Sequence, residues 1–293
     1  MGDDPHAAFN AGDYATAGPT LAARAREVGD APEAAALFYD AALAYKFLRD
    51  WPNAYALGLE AAKRSPRGEE DPAFWNLGIA ATIVGDWATA RDAWHGYGLN
   101  LPDGEGEIVE DLGPACVRLD PDGAGEVVWV RRLCPARAQV VNVPMAAEGR
   151  RFGDIVLHDG EPKGYRKVGE RQYPVFDELL LWRRSELPTT TVTVTAAEPA
   201  DVEALVERFS DADLGAEPAS SFRMLCKCCS EGVVEQTRSA HNGPAVAAPA
   251  VHGGTQVIWL GAPPELARTL LEAWAAEAPR VRGWHEMELV DGG

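Results

Sequence analysis

The stretch Gly85-Asp86-Trp87-Ala88-Thr89-Ala90 contains a short sequence motif that recurs in the first hundred residues of the chain. Its other copies are Gly12-Asp13-Tyr14 with Ala17 and Arg49-Asp50-Trp51 with Ala54, so the three copies lie 37 and 36 residues apart. A period of this length is typical of a repeated helix-turn-helix unit. We expect the polar pair to make an exposed turn, the aromatic ring to pack between the two helices, and the alanine to let the helices approach closely.

The third copy is the most complete, and its pattern resembles the tetratricopeptide repeat. The residues that carry the resemblance, before and after the turn, are Phe74, Leu77-Gly78, Ala81, Trp87, Ala90, Trp94 and Pro102. Tyr97 departs from the pattern, because the family has alanine at that position. The second copy departs at Ala41-Ala42, which replaces Leu-Gly, and at Gly58, which replaces the later aromatic residue. The resemblance covers about a third of the chain.

The resemblance implies helical hairpins over residues 1–104 and a concave groove formed by the first helix of each hairpin. Members of this family bind peptides or protein surfaces in that groove. On this chain the groove would be lined by Phe38, Tyr39, Tyr45, Trp75 and Asn76. The alternative is that two and a half repeats are too few for a groove and only pack on the rest of the chain.

Residues 105–188 change from a helical period to an alternating one. Short β-branched or apolar runs, separated by turn sequences such as Pro121-Asp122-Gly123, lie at 127–130, 139–143, 154–157 and 175–182. Such runs favour strands, and the turns between them favour pairing of neighbours. We therefore expect a middle antiparallel β module, either a small barrel or a meander.

Residues 189–293 contain the order strand, helix, strand twice, which is the element order of a ferredoxin-like α+β sandwich. The expected strands are 189–195, 221–225, 256–260 and 284–290, and the expected helices are 198–209 and 264–276. The apolar residues expected on the inner face of the second helix are Leu266, Leu270, Leu271 and Trp274. Together the three segments, 1–104, 105–188 and 189–293, predict a multidomain α + β protein.

A long loop, residues 226–254, separates the two halves of the C-terminal segment. It opens with Cys226-Lys227-Cys228-Cys229 and contains His241 and His252. Cys226 and Cys229 have the spacing that lets two thiolates bind one zinc ion, and the two histidines would complete a tetrahedral structural site. The alternatives are ordinary reduced thiols in a mobile loop and a redox-active thiol pair. Two other cysteines, Cys116 and Cys134, are expected to be buried.

The chain is strongly acidic, with 27 basic and 45 acidic side chains and a formal net charge of −18. The three segments carry −7, −3 and −8, so the acidity is not confined to a tail. Such a field repels phosphate backbones and anionic lipid, which disfavours nucleic acid and membranes as partners and favours a basic protein. Alternatively, the charge only keeps an abundant protein in solution. A basic cluster, Arg131-Arg132, Arg137 and Arg150-Arg151, is expected to pair with the acidic repeats or to hold an anion.

The sequence contains no phosphate-binding glycine loop, no Gly-x-Ser-x-Gly elbow and no zinc-protease histidine pattern. Asp154, His158 and Asp159 lie close together and suggest a metal-binding or acid-base group. However, Asp159 is typical of the first residue of a turn and His158 of the end of a strand. An enzyme of unknown class, with a site assembled from distant residues of the C-terminal half, is the alternative to a binding protein.

These observations predict a cytoplasmic protein-binding module or adaptor. Its partner would be a protein or peptide, including a basic one of the kind that an immunity or inhibitor protein neutralises. The segment Met1-Gly2-Asp3-Asp4-Pro5 lacks the basic and apolar regions of a signal peptide, and no apolar run of about 18 residues is long enough for a membrane span. The one cofactor considered is the structural zinc ion.

Overall fold

The structure is a computed structural model and describes residues 5–123, 125–145, 149–221 and 254–290. The chain divides into two compact units, Met1–Val109 and Glu110–Gly293. The described residues of the first unit form helices only, whereas those of the second unit form two β-sheets and two α-helices. The chain is therefore a mixed α + β protein. Among the described helices, none is both long and apolar enough to cross a membrane.

The first unit, which we call the helical unit, contains three helical hairpins in its described part. The helices are α1 (Pro5–Asn10), α2 (Tyr14–Val28), α3 (Ala34–Phe47), α4 (Trp51–Ala62), α5 (Pro72–Val84) and α6 (Trp87–Tyr97). Each helix packs on its neighbours along the chain, and α3 also contacts α5. The repeated motif lies at the turn inside each hairpin.

An aspartate at the repeated position caps the second helix of every hairpin. Asp13, Asp50 and Asp86 each accept a hydrogen bond from the backbone N–H three residues later, at 3.2, 3.2 and 3.0 Å. These bonds satisfy N–H groups that the first turn of a helix otherwise leaves without a partner. Asp50 and Asp86 are half-buried rather than exposed, whereas Asp13, which makes the same capping bond, is exposed.

The repeated alanines are buried as the pattern predicts, since Ala17, Ala54 and Ala90 lie in the interior. The repeated aromatic rings are less enclosed than expected: Trp51 and Trp87 are half-buried. Each of these tryptophans is the first residue of its helix and lies at the end of the hairpin, where fewer neighbours surround it.

The tightest contacts of the third hairpin are two reciprocal contacts between a glycine and an aromatic ring. A Cβ atom on Gly78 of α5 would lie 2.6 Å from the Trp94 ring of α6, and a Cβ atom on Gly96 of α6 would lie 2.4 Å from the Phe74 ring of α5. Both rings are buried. Only glycine leaves the room that this approach of the two helices requires.

The first sheet of the second unit contains β1 (Pro114–Arg118), β2 (Val127–Arg132), β3 (Arg137–Val140), β4 (Ile155–His158), β5 (Gly164–Val168) and β6 (Arg171–Arg183). Its strand order is β1-β2-β3-β4-β6-β5, and β1 also pairs with β6. This pairing is parallel, which corrects the expectation of a purely antiparallel module. The five strands β1, β2, β3, β4 and β6 form a closed ring. Strand directions cannot alternate completely around an odd number of strands, so one neighbouring pair must be parallel, and that pair is β1 and β6. The strands β1 and β5 were not predicted.

The second sheet contains β7 (Thr189–Ala196), β8 (Gly215–Pro218), β9 (Thr255–Gly261) and β10 (Arg282–Leu289), with α7 (Pro199–Ser210) after β7 and α8 (Pro264–Glu277) after β9. The strand order is β10-β7-β9-β8, and all pairs are antiparallel. Apolar side chains of the two helices pack on the sheet to form one core that includes Val192, Val194, Leu205, Phe209, Ile258, Leu271 and Trp274.

The C-terminal part departs from the predicted elements in two places. A strand that was not predicted lies at Gly215–Pro218, and of the predicted strand 221–225 only Ser221 lies within the described residues, where it belongs to a short 3-10 helix. A Cβ atom on Gly215 would lie 2.6 Å from the Val143 side chain, so the backbone of this strand lies close against side chains, and a glycine at such a position carries no β-branched signal. Leu266 is exposed, since the inward stripe of α8 runs through Ala267 and Leu271 and Leu266 lies about 100° around the helix from Ala267.

Candidate partner-binding site of the helical unit

Polar contacts join the first helices of the three hairpins. His6 Nε2 of α1 lies 3.3 Å from Asp40 Oδ2 of α3, and Asn76 Nδ2 of α5 donates a hydrogen bond to the Tyr39 hydroxyl of α3 at 3.4 Å. The Lys46 ammonium of α3 donates to Asn76 Oδ1 at 2.9 Å. We call these five residues the first-helix cluster.

Lys46 is the most buried charged member of the first-helix cluster, with 7% of its surface exposed. Burying an ammonium is costly unless hydrogen bonds replace its water, and Asn76 supplies one of those bonds. The Asn76 side chain therefore uses its oxygen for Lys46 and its nitrogen for Tyr39. This arrangement fixes a positive group between α3 and α5.

Asp40 is the acidic member of the cluster. Desolvation by burial raises the pKa of its carboxyl group, and the charge and hydrogen bond of the neighbouring His6 oppose that rise. A desolvated carboxylate of this kind is stabilised whenever a cation approaches it. The contact between His6 and the partly desolvated Asp40 carboxylate thus holds α1 against α3.

A cleft of about 550 Å³ lies beside this contact, between α1, α2 and α3. Its lining includes Ala23 and Ala36, which are exposed, and Leu37, which is buried. The two small side chains leave the space between α2 and α3 unfilled, and Leu37 forms an apolar floor. The volume falls in the range of clefts that hold ligands, roughly 300–1,000 Å³.

Two carboxylates, Glu27 and Glu33, stand at the rim of the cleft. Glu27 lies 3.2 Å from the guanidinium of Arg24, and both side chains are exposed, so the pair is weak. The Glu33 carboxylate accepts no hydrogen bond from any described residue, including the helix that it precedes. The helical unit as a whole has 8 basic and 17 acidic side chains. The cleft thus has at its rim a carboxylate, Glu33, without a partner among the described residues, and it belongs to a unit that is acidic as a whole.

Of the five residues predicted to line a groove, Tyr39 and Asn76 are joined by a hydrogen bond. Phe38 is buried in the core, and the Arg64 guanidinium lies 4.8 Å from the centre of its ring. Its ring is thus enclosed within the unit, because an aromatic residue on a first helix can equally face the second helix of its own hairpin.

The other two predicted residues pack within the unit. The Tyr45 ring lies against Gly18 of α2, where a Cβ atom would come within 3.1 Å of it. Trp75 makes edge contacts with Trp94 and Tyr97, with ring centres 5.1 and 4.9 Å apart. Trp75 is thus packed against the aromatic rings of α6.

The repeat pattern did not point to Asp40, Lys46 or the cleft residue Glu33. A signal for one of them was available, because Asp40 and Asn76 both lie ten residues before a capping aspartate and so occupy equivalent repeat positions. A polar residue that recurs at one position of otherwise apolar first helices indicates a shared role. The cleft itself depends on two alanines, which carry no such signal.

The proposed zinc ligands Cys226, Cys229, His241 and His252 lie outside the described residues. Within the described ranges, no group of three or more His, Cys, Asp or Glu side chains is placed to hold a metal ion. Cys116 and Cys134 are buried and unpaired, as expected, and burial raises the pKa of the Cys116 thiol to about 12.

Asp154, His158 and Asp159 have separate structural roles. Asp154 is buried and accepts hydrogen bonds from the backbone N–H groups of Ser185 and Arg151 at 2.6 and 2.9 Å. His158 is fully buried, and desolvation lowers its pKa to about 4. Asp159 accepts from the N–H of the next residue at 2.7 Å, as a turn residue does.

The arginines of the basic cluster find partners inside the second unit. Arg150 donates to Glu178 Oε1 at 2.9 Å, and Arg131 donates to Gln139 Oε1 at 2.9 Å. Arg137 is fully buried, and its guanidinium lies 5.5 Å from the centre of the Trp182 ring. Three of the five arginines thus have a partner inside the second unit.

No protein-family model matches the chain. No curated protein matches it either. A similar solved structure is that of a hypothetical protein from Neisseria gonorrhoeae, which is 14% identical; the match covers 59% of this chain and 92% of that chain, with a TM-score of 0.23.

Proposed function

We propose that the helical unit is a tetratricopeptide-like repeat array that binds a basic segment of a protein partner. The protein would act in the cytoplasm as an adaptor, or as an inhibitor that neutralises a cationic protein. The observation that carries this proposal is a cleft with carboxylates at its rim, in a unit with 17 acidic and 8 basic side chains. Complementary charge speeds encounter with a basic partner and disfavours acidic ones.

The repeat assignment is supported by the three aspartate caps at equivalent positions and by the Gly78 contact with Trp94. The strand order β10-β7-β9-β8, with helices after β7 and β9, supports a ferredoxin-like assignment for the C-terminal part. That fold is shared by proteins of many functions and implies none of them. For this reason we assign binding to the helical unit.

Long-range electrostatic attraction and ion pairing at contact would both contribute to binding. The acidic unit attracts a cationic segment over about one Debye length, roughly 10 Å at moderate salt. At contact, cations would neutralise carboxylates such as Glu33, for which no described residue provides a partner. Because the rim residues are exposed, salt should weaken the complex.

The test uses the full-length protein and short fluorescent peptides of matched length, in which leucine alternates with lysine, glutamate or serine. Fluorescence anisotropy should detect binding of the lysine peptide, with affinity falling at least about ten-fold as salt rises from about 0.05 to 0.5 M. The glutamate and serine peptides should not bind. Equal affinity for the lysine and glutamate peptides, or affinity that does not depend on salt, would contradict the proposal.

A structural zinc ion in the segment 226–254 remains part of the proposal, with Cys226, Cys229, His241 and His252 as its ligands. Four protein ligands would leave no open position for water, so such an ion would stabilise the loop and would not catalyse a reaction.

A further inference from the structure

We infer that the cleft between α2 and α3 holds a lysine or arginine side chain of the partner. The aliphatic part of that side chain would lie over Ala23, Ala36 and Leu37, and its cationic group would lie at Glu33. This inference rests on the proposed function and adds to it the position of the site and the type of side chain that fills it.

The shape of the cleft favours a long, unbranched side chain. Ala23 on α2 and Ala36 on α3 are both exposed, and the space between them is open down to Leu37. Lysine and arginine bury an apolar stem while keeping their charge at the surface, which matches an apolar floor below a polar rim. A wholly apolar side chain would use the floor and leave the Glu33 carboxylate without a partner in the described part of the chain.

The charge at the rim favours a cation. Glu27 is already paired with Arg24, whereas no described residue donates to Glu33. Thr20, also at the rim, donates its hydroxyl hydrogen to the backbone oxygen of Thr16 at 2.8 Å. Because the hydroxyl hydrogen is used in this bond, the Thr20 oxygen can act only as an acceptor toward a ligand. Glu33 and Thr20 together present acceptors to an ammonium or guanidinium group.

His6 of α1 borders the cleft on its third side. It lines the cleft and lies 3.3 Å from Asp40, whose carboxylate is partly desolvated. This pair anchors α1 and closes one side of the cleft. The partner's cation is thus directed to Glu33, because Asp40 already has a basic neighbour.

The test fills the cleft and removes its charge in separate variants of the full-length protein. Ala36→Leu places a larger side chain at an exposed helical position, so the space is lost without disturbing the core. Glu33→Gln removes the charge and breaks no capping bond, because the Glu33 side chain makes none. The matched controls are Ala56→Leu, at an exposed position of α4, and Glu69→Gln, at an exposed position of a loop in the same unit.

With the lysine-leucine peptide as the probe, Ala36→Leu should weaken binding about ten-fold or more, as loss of a filled pocket does. Glu33→Gln should weaken it about three-fold, as loss of an exposed ion pair does. Ala56→Leu and Glu69→Gln should both stay within about two-fold of the unmodified protein. Circular dichroism of each variant checks that the helices are retained.

The outcomes separate this inference from the proposed function. If the peptide binds and the two cleft variants behave like their controls, the cleft is not the site, while the binding function stands. If a peptide with norleucine in place of lysine binds equally well, the cleft selects apolar side chains and the inference is wrong. If no lysine peptide binds the unmodified protein, the proposed binding function and the assignment of the cleft are both overturned.

Discussion

The substitution Gly78→Ala tests the packing of the third hairpin. The added Cβ atom would lie 2.6 Å from Cη2 and Cζ2 of the Trp94 ring, well inside contact distance. The ring has little room to move, because it is fully buried and makes an edge contact with Trp75 at 5.1 Å. The helix must therefore shift or the ring must leave its rotamer.

Two effects of opposite sign determine the change in the free energy of unfolding. Replacing glycine by alanine inside a helix is favourable by about 1 kcal/mol. Overpacking a rigid core costs about 1–3 kcal/mol, and a contact as short as this one belongs at the upper end. We therefore expect Gly78→Ala to lower the free energy of unfolding of the helical unit by about 2 kcal/mol.

The matched control is Gly58→Ala in α4. A Cβ atom there would lie 3.5 Å from Leu77, an ordinary contact, so only the helix preference should act. This variant should be as stable as the unmodified protein or more stable by up to about 1 kcal/mol. Urea unfolding followed by far-UV circular dichroism measures both, because six of the eight described helices belong to this unit. If Gly78→Ala were no less stable than Gly58→Ala, the packing described for Trp94 would be wrong.

Three further predictions concern the cap, the buried histidine and the metal. Asp86→Ala should destabilise the helical unit by about 1–2 kcal/mol in the same urea assay, because the carboxylate also accepts from the Tyr55 hydroxyl at 2.7 Å; a loss no larger than that of Asp13→Ala would argue against this second role. The folded-state pKa of His158 is about 4, below its ordinary 6.5, so its contribution to stability is complete above pH 6.5 and is lost as the pH falls from 6.5 toward 4. Unfolding at a series of pH values should show about 3 kcal/mol of this loss in the unmodified protein and not in His158→Phe; parallel curves would contradict the prediction. Elemental analysis of protein purified without a histidine tag should find zinc that Cys226→Ser and Cys229→Ser lose, and less than about a tenth of an equivalent in the unmodified protein would remove the metal hypothesis.

The sequence predicted the turns of the helical unit well, because a turn is specified locally. Asp13, Asp50 and Asp86 recur at the repeat period, and each caps a helix in the structure. Capping needs only the aspartate and the three residues after it, so distant contacts cannot override the signal.

The face of a helix was harder to predict than its existence. Phe38 and Tyr39 are adjacent on α3, yet Phe38 is buried and Tyr39 is half-exposed and bonded to Asn76. Both are aromatic, and adjacent residues differ by about 100° around the helix axis. Their roles therefore depend on where the neighbouring helices lie, which the repeat pattern does not specify to that precision.

The cleft could not be predicted, because it exists where side chains are small. Ala23 and Ala36 resemble the many alanines that pack between helices, such as Ala17 and Ala54, and only the structure distinguishes exposed from buried ones. The strand at Gly215–Pro218 was missed for a related reason, since a close backbone contact at Gly215 replaces β-branched side chains there.

The most direct test of the central claim is to map the lysine-leucine peptide on the full-length protein by NMR of labelled alanine and leucine methyl groups. We expect the largest shift changes at Ala23, Ala36 and Leu37, and smaller or no changes at methyl groups of the second unit such as Leu205 and Leu271. Changes confined to the second unit would contradict the claim that the helical unit is the binding part of this protein.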